Sequence, residues 1–120
     1  MTKERGWEKV IELLEDGETL DLALLEVSNV VWKKAVLTKE LSGEDVRRAM
    51  TIVKEYLPQV VTISKSLDLL PRAVEISLRE GIPVYDSLYI ALAETKGIKL
   101  VTVDRKQYEV AKKYVDAELL

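Results

Sequence analysis

VYDSLYIALAETKGIKLVTVDRK, residues 84–106, is the stretch that decides the fold class. Asp86 opens an expected helix in which Leu88, Ala91, Leu92 and Thr95 share one face, and Gly97 supplies the residue type that ends helices in a left-handed turn. KLVTV (99–103) then reads as a buried strand that runs straight into Asp104. A further helix is expected over roughly 105–113, followed by VDAELL (115–120) as a last strand.

The same alternation continues toward the N-terminus. Residues 67–80 have helical period and stop at Gly81, and QVVTIS (59–64) is a short β-branched strand. Ser42, followed by Gly43, Glu44 and Asp45, has the form of a capping box with Asp in place of Glu, and it opens a helix through Leu57 that Pro58 closes. TLDLALL (19–25) is either a strand or the entry to the helix EVSNVVWKKAVL (26–37). Trp7, Val10, Ile11 and Leu14 recur at helical spacing ahead of Gly17, which predicts an amphipathic helix from Glu4 to Asp16. Strands separated by helices imply a parallel sheet with right-handed crossovers, so a three-layer α/β/α fold is expected, with residues 1–120 forming one domain.

Composition narrows the chemistry. The 120 residues are 48% apolar, enough for one core, and contain neither cysteine nor histidine. Disulfides, thiolate zinc sites, cysteine nucleophiles and imidazole acid–base catalysis are therefore excluded, and any chemistry rests on Asp, Glu, Lys, Arg, Ser, Thr or Tyr. MTKERGWEKVIELLEDG has no continuous apolar run, and no stretch approaches the roughly 18 apolar residues of a membrane span, so a cytoplasmic location without a membrane partner is expected. The formal charge of −3 gives no global attraction to nucleic acid. Lys33, Lys34, Arg47, Arg48, Arg105, Lys106, Lys112 and Lys113 form either a local basic surface or ordinary solvated helix faces.

Three acids stand out by position. Asp104 follows KLVTV directly, Asp86 opens a helix, and Glu26 follows LALL inside an otherwise apolar run, where it needs an exposed face or a partner. In an open parallel sheet the ligand crevice lies outside the carboxyl ends of the strands, and all three acids are candidates for that rim. Clustered carboxylates resist ionising unless a cation sits among them, and Mg²⁺ or Mn²⁺ prefers oxygen ligands of this kind. Asp86 and Asp104 read equally as helix caps. Ser28, Asn29 and Thr102 lie near these acids in the sequence and are either water-orienting groups or ordinary helix and strand residues.

LLEVSNVVWKK (24–34), VYDSLYIALAETKGIKLVTVDRK and the closing VDAELL resemble the PIN-domain family, and within it the VapC-type toxins of prokaryotic toxin–antitoxin pairs. The resemblance runs from about Trp7 to the end and is most specific from Tyr85 to Lys106. It implies a compact α/β/α fold, Mg²⁺ or Mn²⁺ as cofactor, cleavage of single-stranded or structured RNA, and a cognate antitoxin as partner. Position by position, it makes Glu26 the acid of the family's second segment, Asp86 that of the "YD" helix start, Asp104 that of the "T-x-D" strand end and Thr102 the hydroxyl residue two before it. Glu26, Asp86 and Asp104 are thus the expected metal ligands, with Thr102 beside them at the catalytic site.

One part of the family pattern is not read in this sequence. Family members open with a short strand whose "D-x-S/T" supplies a first metal-binding Asp, whereas this chain opens on the helix that follows it. With strands about 4.8 Å apart, loss of a central strand leaves a gap near 10 Å unless its neighbours close up, a second copy pairs there, or the fold rearranges. A homodimer is the expected consequence of the last two. Two functions follow from the resemblance: a metal-dependent endoribonuclease of a toxin–antitoxin pair, or a catalytically incomplete PIN-like module that binds an antitoxin or itself. A receiver-like phosphoacceptor domain, the third α/β reading with clustered acids, lacks its N-terminal acidic pair here.

Overall fold

The computed structural model describes residues 17–120, and the helix expected from Glu4 to Asp16 lies outside the described residues. The chain forms two compact units, the first closing at Ser64 and the second running from Lys65 to Leu120.

In the first unit, TLDLALL is divided between two elements. Strand β1 (Glu18–Leu20) passes without a loop into helix α1 (Asp21–Val36). Asp21 Oδ1 accepts from the Leu22 amide at 2.8 Å, which satisfies a donor in the first turn, and the Leu- and Ala-rich sequence beyond it favours helix. The Ser42 box is present as expected at the start of α2 (Gly43–Thr51): Ser42 Oγ accepts from the Asp45 amide at 3.1 Å and Asp45 Oδ2 accepts from the Ser42 amide at 2.9 Å.

Pro58 does not close this helical run. A π-helical turn (Ile52–Tyr56) follows α2 and leads into α3 (Leu57–Val60), with Pro58 in the first turn of α3. The Leu57 amide donates to the Ile52 carbonyl, five residues back, and this wider turn relieves the clash that a proline ring makes with the carbonyl four residues before it. Gln59 and Val60 are consequently helical, and the expected strand shrinks to β2 (Thr62–Ser64). β2 pairs in parallel with β1, Glu18 opposite Thr62 and Leu20 opposite Ser64. Leu20, Val53 and Val61 are buried.

Among the described residues, the second unit holds most of the buried apolar side chains. Helix α4 (Ser66–Glu80) buries Leu69, Ala73 and Ile76 at helical spacing and packs against α5 (Val84–Lys96). Gly81 ends α4 and Gly97 ends α5, each at positive φ (69° and 65°), where a residue without Cβ is unstrained. Arg72 on α4 grips Glu94 on α5 with two hydrogen bonds, Nε to Oε1 at 2.7 Å and Nη2 to Oε2 at 2.9 Å.

Two expectations for this region are corrected. Ser87, Leu88, Ile90, Ala91, Leu92 and Ala93 are all buried while Thr95 is exposed, so α5 is enclosed on several sides instead of presenting one face. Strand β3 (Leu100–Thr102) buries Leu100 alone, and Val103 beyond it is 70% exposed. β3, helix α6 (Arg105–Ala111) and strand β4 (Ala117–Leu119) form a β–α–β unit in which β3 and β4 pair in parallel, Leu100 opposite Ala117 and Thr102 opposite Leu119. The α/β class with parallel strands holds in both units, as two parallel ladders among the described residues. None of the described helices is long and apolar enough to cross a membrane.

Candidate functional site

The carboxyl end of β3 is the most tightly specified polar place in the second unit. Val103 and Asp104 alone connect β3 to α6, and Asp104 is the N-cap of that helix: its Oδ1 accepts from the Gln107 amide at 3.1 Å. Thr102 Oγ1 accepts from the Asp104 amide at 3.0 Å and donates to Gln107 Oε1 at 2.7 Å. The Gln107 side-chain amide then donates to the main-chain carbonyl of Asp86 at 3.2 Å. Thr102 and Asp104 are thus joined to Asp86, well separated from them in the sequence, through a single residue that is 8% exposed.

Asp86 sits two residues further into its helix than the sequence suggests. α5 begins at Val84 with Pro83 as N-cap and no side-chain cap, so Asp86 is the third helical residue and its amide donates to the Pro83 carbonyl at 3.1 Å. The capping reading of Asp86 is therefore corrected. A carboxylate in the first turn is favoured by the helix dipole, and Asp86 is half-buried there. For Asp104 the capping reading is right, and it engages Oδ1 only.

Glu26 is placed differently. It lies in the second turn of α1, in the first unit, and follows no strand directly. Glu26 stands on an exposed face, next to Leu25, which is itself 69% exposed. Ser28 Oγ donates back to the Leu24 carbonyl at 2.7 Å, an ordinary helical bond, and Asn29 is exposed. Among the described residues, neither unit by itself brings three carboxylates together as a metal-holding group.

The donor set fits a hard divalent cation. Asp86 and Asp104 offer oxygen, no imidazole or thiolate competes, and Asp104 is exposed with Oδ2 not engaged by the cap. The cations behave mainly as solvated helix faces. Lys34 pairs with Glu40 at 3.4 Å, Arg47 and Arg48 with Glu44 at 3.9 Å, Lys112 with Glu109 at 2.7 Å and Lys113 with Glu80 at 2.9 Å. Arg105 and Lys106 are exposed in the turn that follows Asp104. Gln107 was not legible as a site residue, although D-R-K-Q (104–107) has capping-box spacing, the one local signal that singles it out.

A family model described as PIN domain matches residues 2–113 of the chain. Two relatives come from Pyrobaculum aerophilum. Ribonuclease VapC3 is 34% identical over 102 residues, spanning 85% of this chain and 76% of that protein. Exonuclease VapC9 is 28% identical over 116 residues, spanning 95% of this chain and 81% of its own length. Among solved structures, the crystal structure of PAE2754 from the same organism matches with a TM-score of 0.66 at 26% identity, covering 82% of this chain and 69% of that one.

Proposed function

Because the chain belongs to the PIN-domain family, with VapC-type relatives, we propose that it is a metal-dependent endoribonuclease of a toxin–antitoxin pair, its residues 1–120 acting as one PIN domain. The observation that carries this reading is the junction at the end of β3, where Asp104 and the Asp86 backbone are tied together in a chain 34% identical to a ribonuclease.

Asp86 and Asp104, both in the second unit, would hold Mg²⁺ or Mn²⁺. Such an ion would supply a water of lowered pKa and offset charge on the scissile phosphate, chemistry that a chain without histidine would otherwise lack. The chain's own residues do the rest. Thr102 fixes the backbone at Asp104, and the cap bond limits the rotation of its carboxylate. Arg105, Lys106 and Lys33, all exposed, would attract the phosphate backbone and make binding salt-sensitive. Bases of single-stranded or looped RNA are accessible in a way that those of an A-form duplex are not, so such RNA is the expected substrate. An antitoxin and a second copy of this chain are the proposed protein partners.

Exonucleolytic cleavage is the second reading, favoured by the similarity to a protein called an exonuclease. The test is Mg²⁺ and Mn²⁺ calorimetry on the wild-type chain and on Asp86→Asn/Asp104→Asn, with cleavage of an end-labelled structured RNA in parallel. Saturable binding that the double variant loses, with internal cuts, is the expected result. A ladder shortening from one end selects the exonuclease. A folded wild-type chain that neither binds metal nor cuts RNA refutes both and leaves a binding module.

A further inference from the structure

We propose that Gln107 is a positioning residue that sets Asp86 and Asp104 relative to one another for a divalent cation. The inference rests on the metal-site reading above and adds to it a residue that the acidic pattern does not contain.

In a capping box, the side chain three residues after the cap turns back to the cap residue's own amide. Gln107 does not do this. The Asp104 amide is already taken by Thr102 Oγ1, and the Gln107 side chain instead bridges Thr102 at the end of β3 and the Asp86 carbonyl on α5. Its main-chain amide meanwhile holds Asp104 Oδ1. One residue therefore contacts both acid-bearing segments, and its side chain is buried.

The amide is suited to this place. It offers an acceptor to the Thr102 hydroxyl and a donor to the Asp86 carbonyl, whereas a carboxylate could not donate and an apolar side chain would leave both partners unmatched. Burial removes water as a substitute. Loss of the bridge frees the first turn of α5 from the β3–α6 turn, so the donor oxygens of the two acids are no longer held in one geometry. Residues that orient metal ligands in this indirect way typically contribute about 10- to 100-fold in affinity.

The experiment uses the full chain and Mn²⁺ as the probe, with affinity by calorimetry and thermal melts without metal. Gln107→Met is the isosteric apolar variant. Gln107→Asn is the polar variant, too short to span both partners and the safer folder. Arg72→Met is the control: it breaks the α4–α5 ion pair in the same unit without touching the bridge. The expected result is Mn²⁺ affinity weakened about 10-fold or more in either folded Gln107 variant. Arg72→Met should lower Tm and keep its Mn²⁺ affinity within about twofold, a pattern that general destabilisation does not produce. Wild-type affinity in a folded Gln107 variant overturns the inference and leaves the metal site standing. Equal weakening by Arg72→Met also overturns it. No Mn²⁺ binding by the wild-type chain overturns the metal-site reading itself, and this inference with it.

Discussion

Asp104 has a structural job and a proposed chemical one, and two substitutions separate them. Asp104→Ala removes the acceptor of the 3.1 Å cap bond to the Gln107 amide, at the head of a helix of seven residues. Loss of such a cap costs about 0.5–2 kcal/mol, and for an exposed cap about 1 kcal/mol is expected. Asp104→Asn keeps an oxygen in the same position and gives up only the interaction of the charge with the helix dipole, about 0.5 kcal/mol or less. Urea unfolding followed by circular dichroism should therefore place the Ala variant clearly below wild type and the Asn variant close to it. Mn²⁺ calorimetry should order them differently, with both variants losing binding, because a neutral amide is a far poorer ligand than a carboxylate. If the Asn variant unfolds as early as the Ala variant, the cap bond is not what stabilises α6. If it binds Mn²⁺ like wild type, Asp104 is not a ligand.

The Arg72 guanidinium, which hydrogen-bonds Glu94 from α4, holds the Glu94 carboxyl below its usual value near 4.5. The unfolded chain protonates this group first as pH falls, so the pair's contribution is complete above about pH 4.5 and disappears as pH drops through the lowered folded value; Arg72→Met should lower Tm at pH 7 and flatten the acid limb of the Tm–pH curve. Ile90 is wholly buried on α5, and Ile90→Ala should cost about 2–4 kcal/mol in a urea titration, with a value under 1 kcal/mol showing that the site collapses without a cavity. Ser87 is wholly buried and its Oγ has no hydrogen-bond partner among the described residues, so Ser87→Ala should raise stability by about 1 kcal/mol; a fall would reveal a partner for the hydroxyl.

The sequence was most legible where a local signal and the backbone geometry have the same cause. Gly81 and Gly97 mark helix ends because a left-handed residue is needed there, and Ser42 marks a helix start because its hydroxyl and the Asp45 carboxylate satisfy each other's backbone donors. T-x-D at 102–104 marked the β3–α6 turn for the same kind of reason. It was least legible where tertiary context decides. Pro58 is an expected stop, but a π turn five residues long absorbs its ring. The apolar run around Glu26 left an exposed face and a partner both open, because a sequence does not say which of its apolar residues are buried. Helix α1 has no fully buried residue, and Leu25, Trp32 and Val36 are each at least half exposed, so Glu26 escapes the desolvation cost that made it look anomalous. Gln107 was missed because its partners are an adjacent strand end and a helix 21 residues away, and periodicity is blind to such a bridge.

Capping and metal binding read as rival explanations of Asp104 in the sequence, and the geometry makes them compatible. A cap needs one acceptor oxygen, and Ser, Thr or Asn supplies it as well as Asp does. The cap therefore accounts for a short polar residue at 104, and the helix dipole adds only about 0.5 kcal/mol in favour of its negative charge. That charge sits on an exposed carboxylate with one oxygen engaged by the Gln107 amide and the other outside the cap, in a turn held by Thr102 and bridged to Asp86. Fixing one oxygen orients its partner without any further contact, because the carboxylate is planar. A residue chosen only to cap would gain nothing from this, whereas a ligand gains a preset direction and loses less rotational freedom on binding.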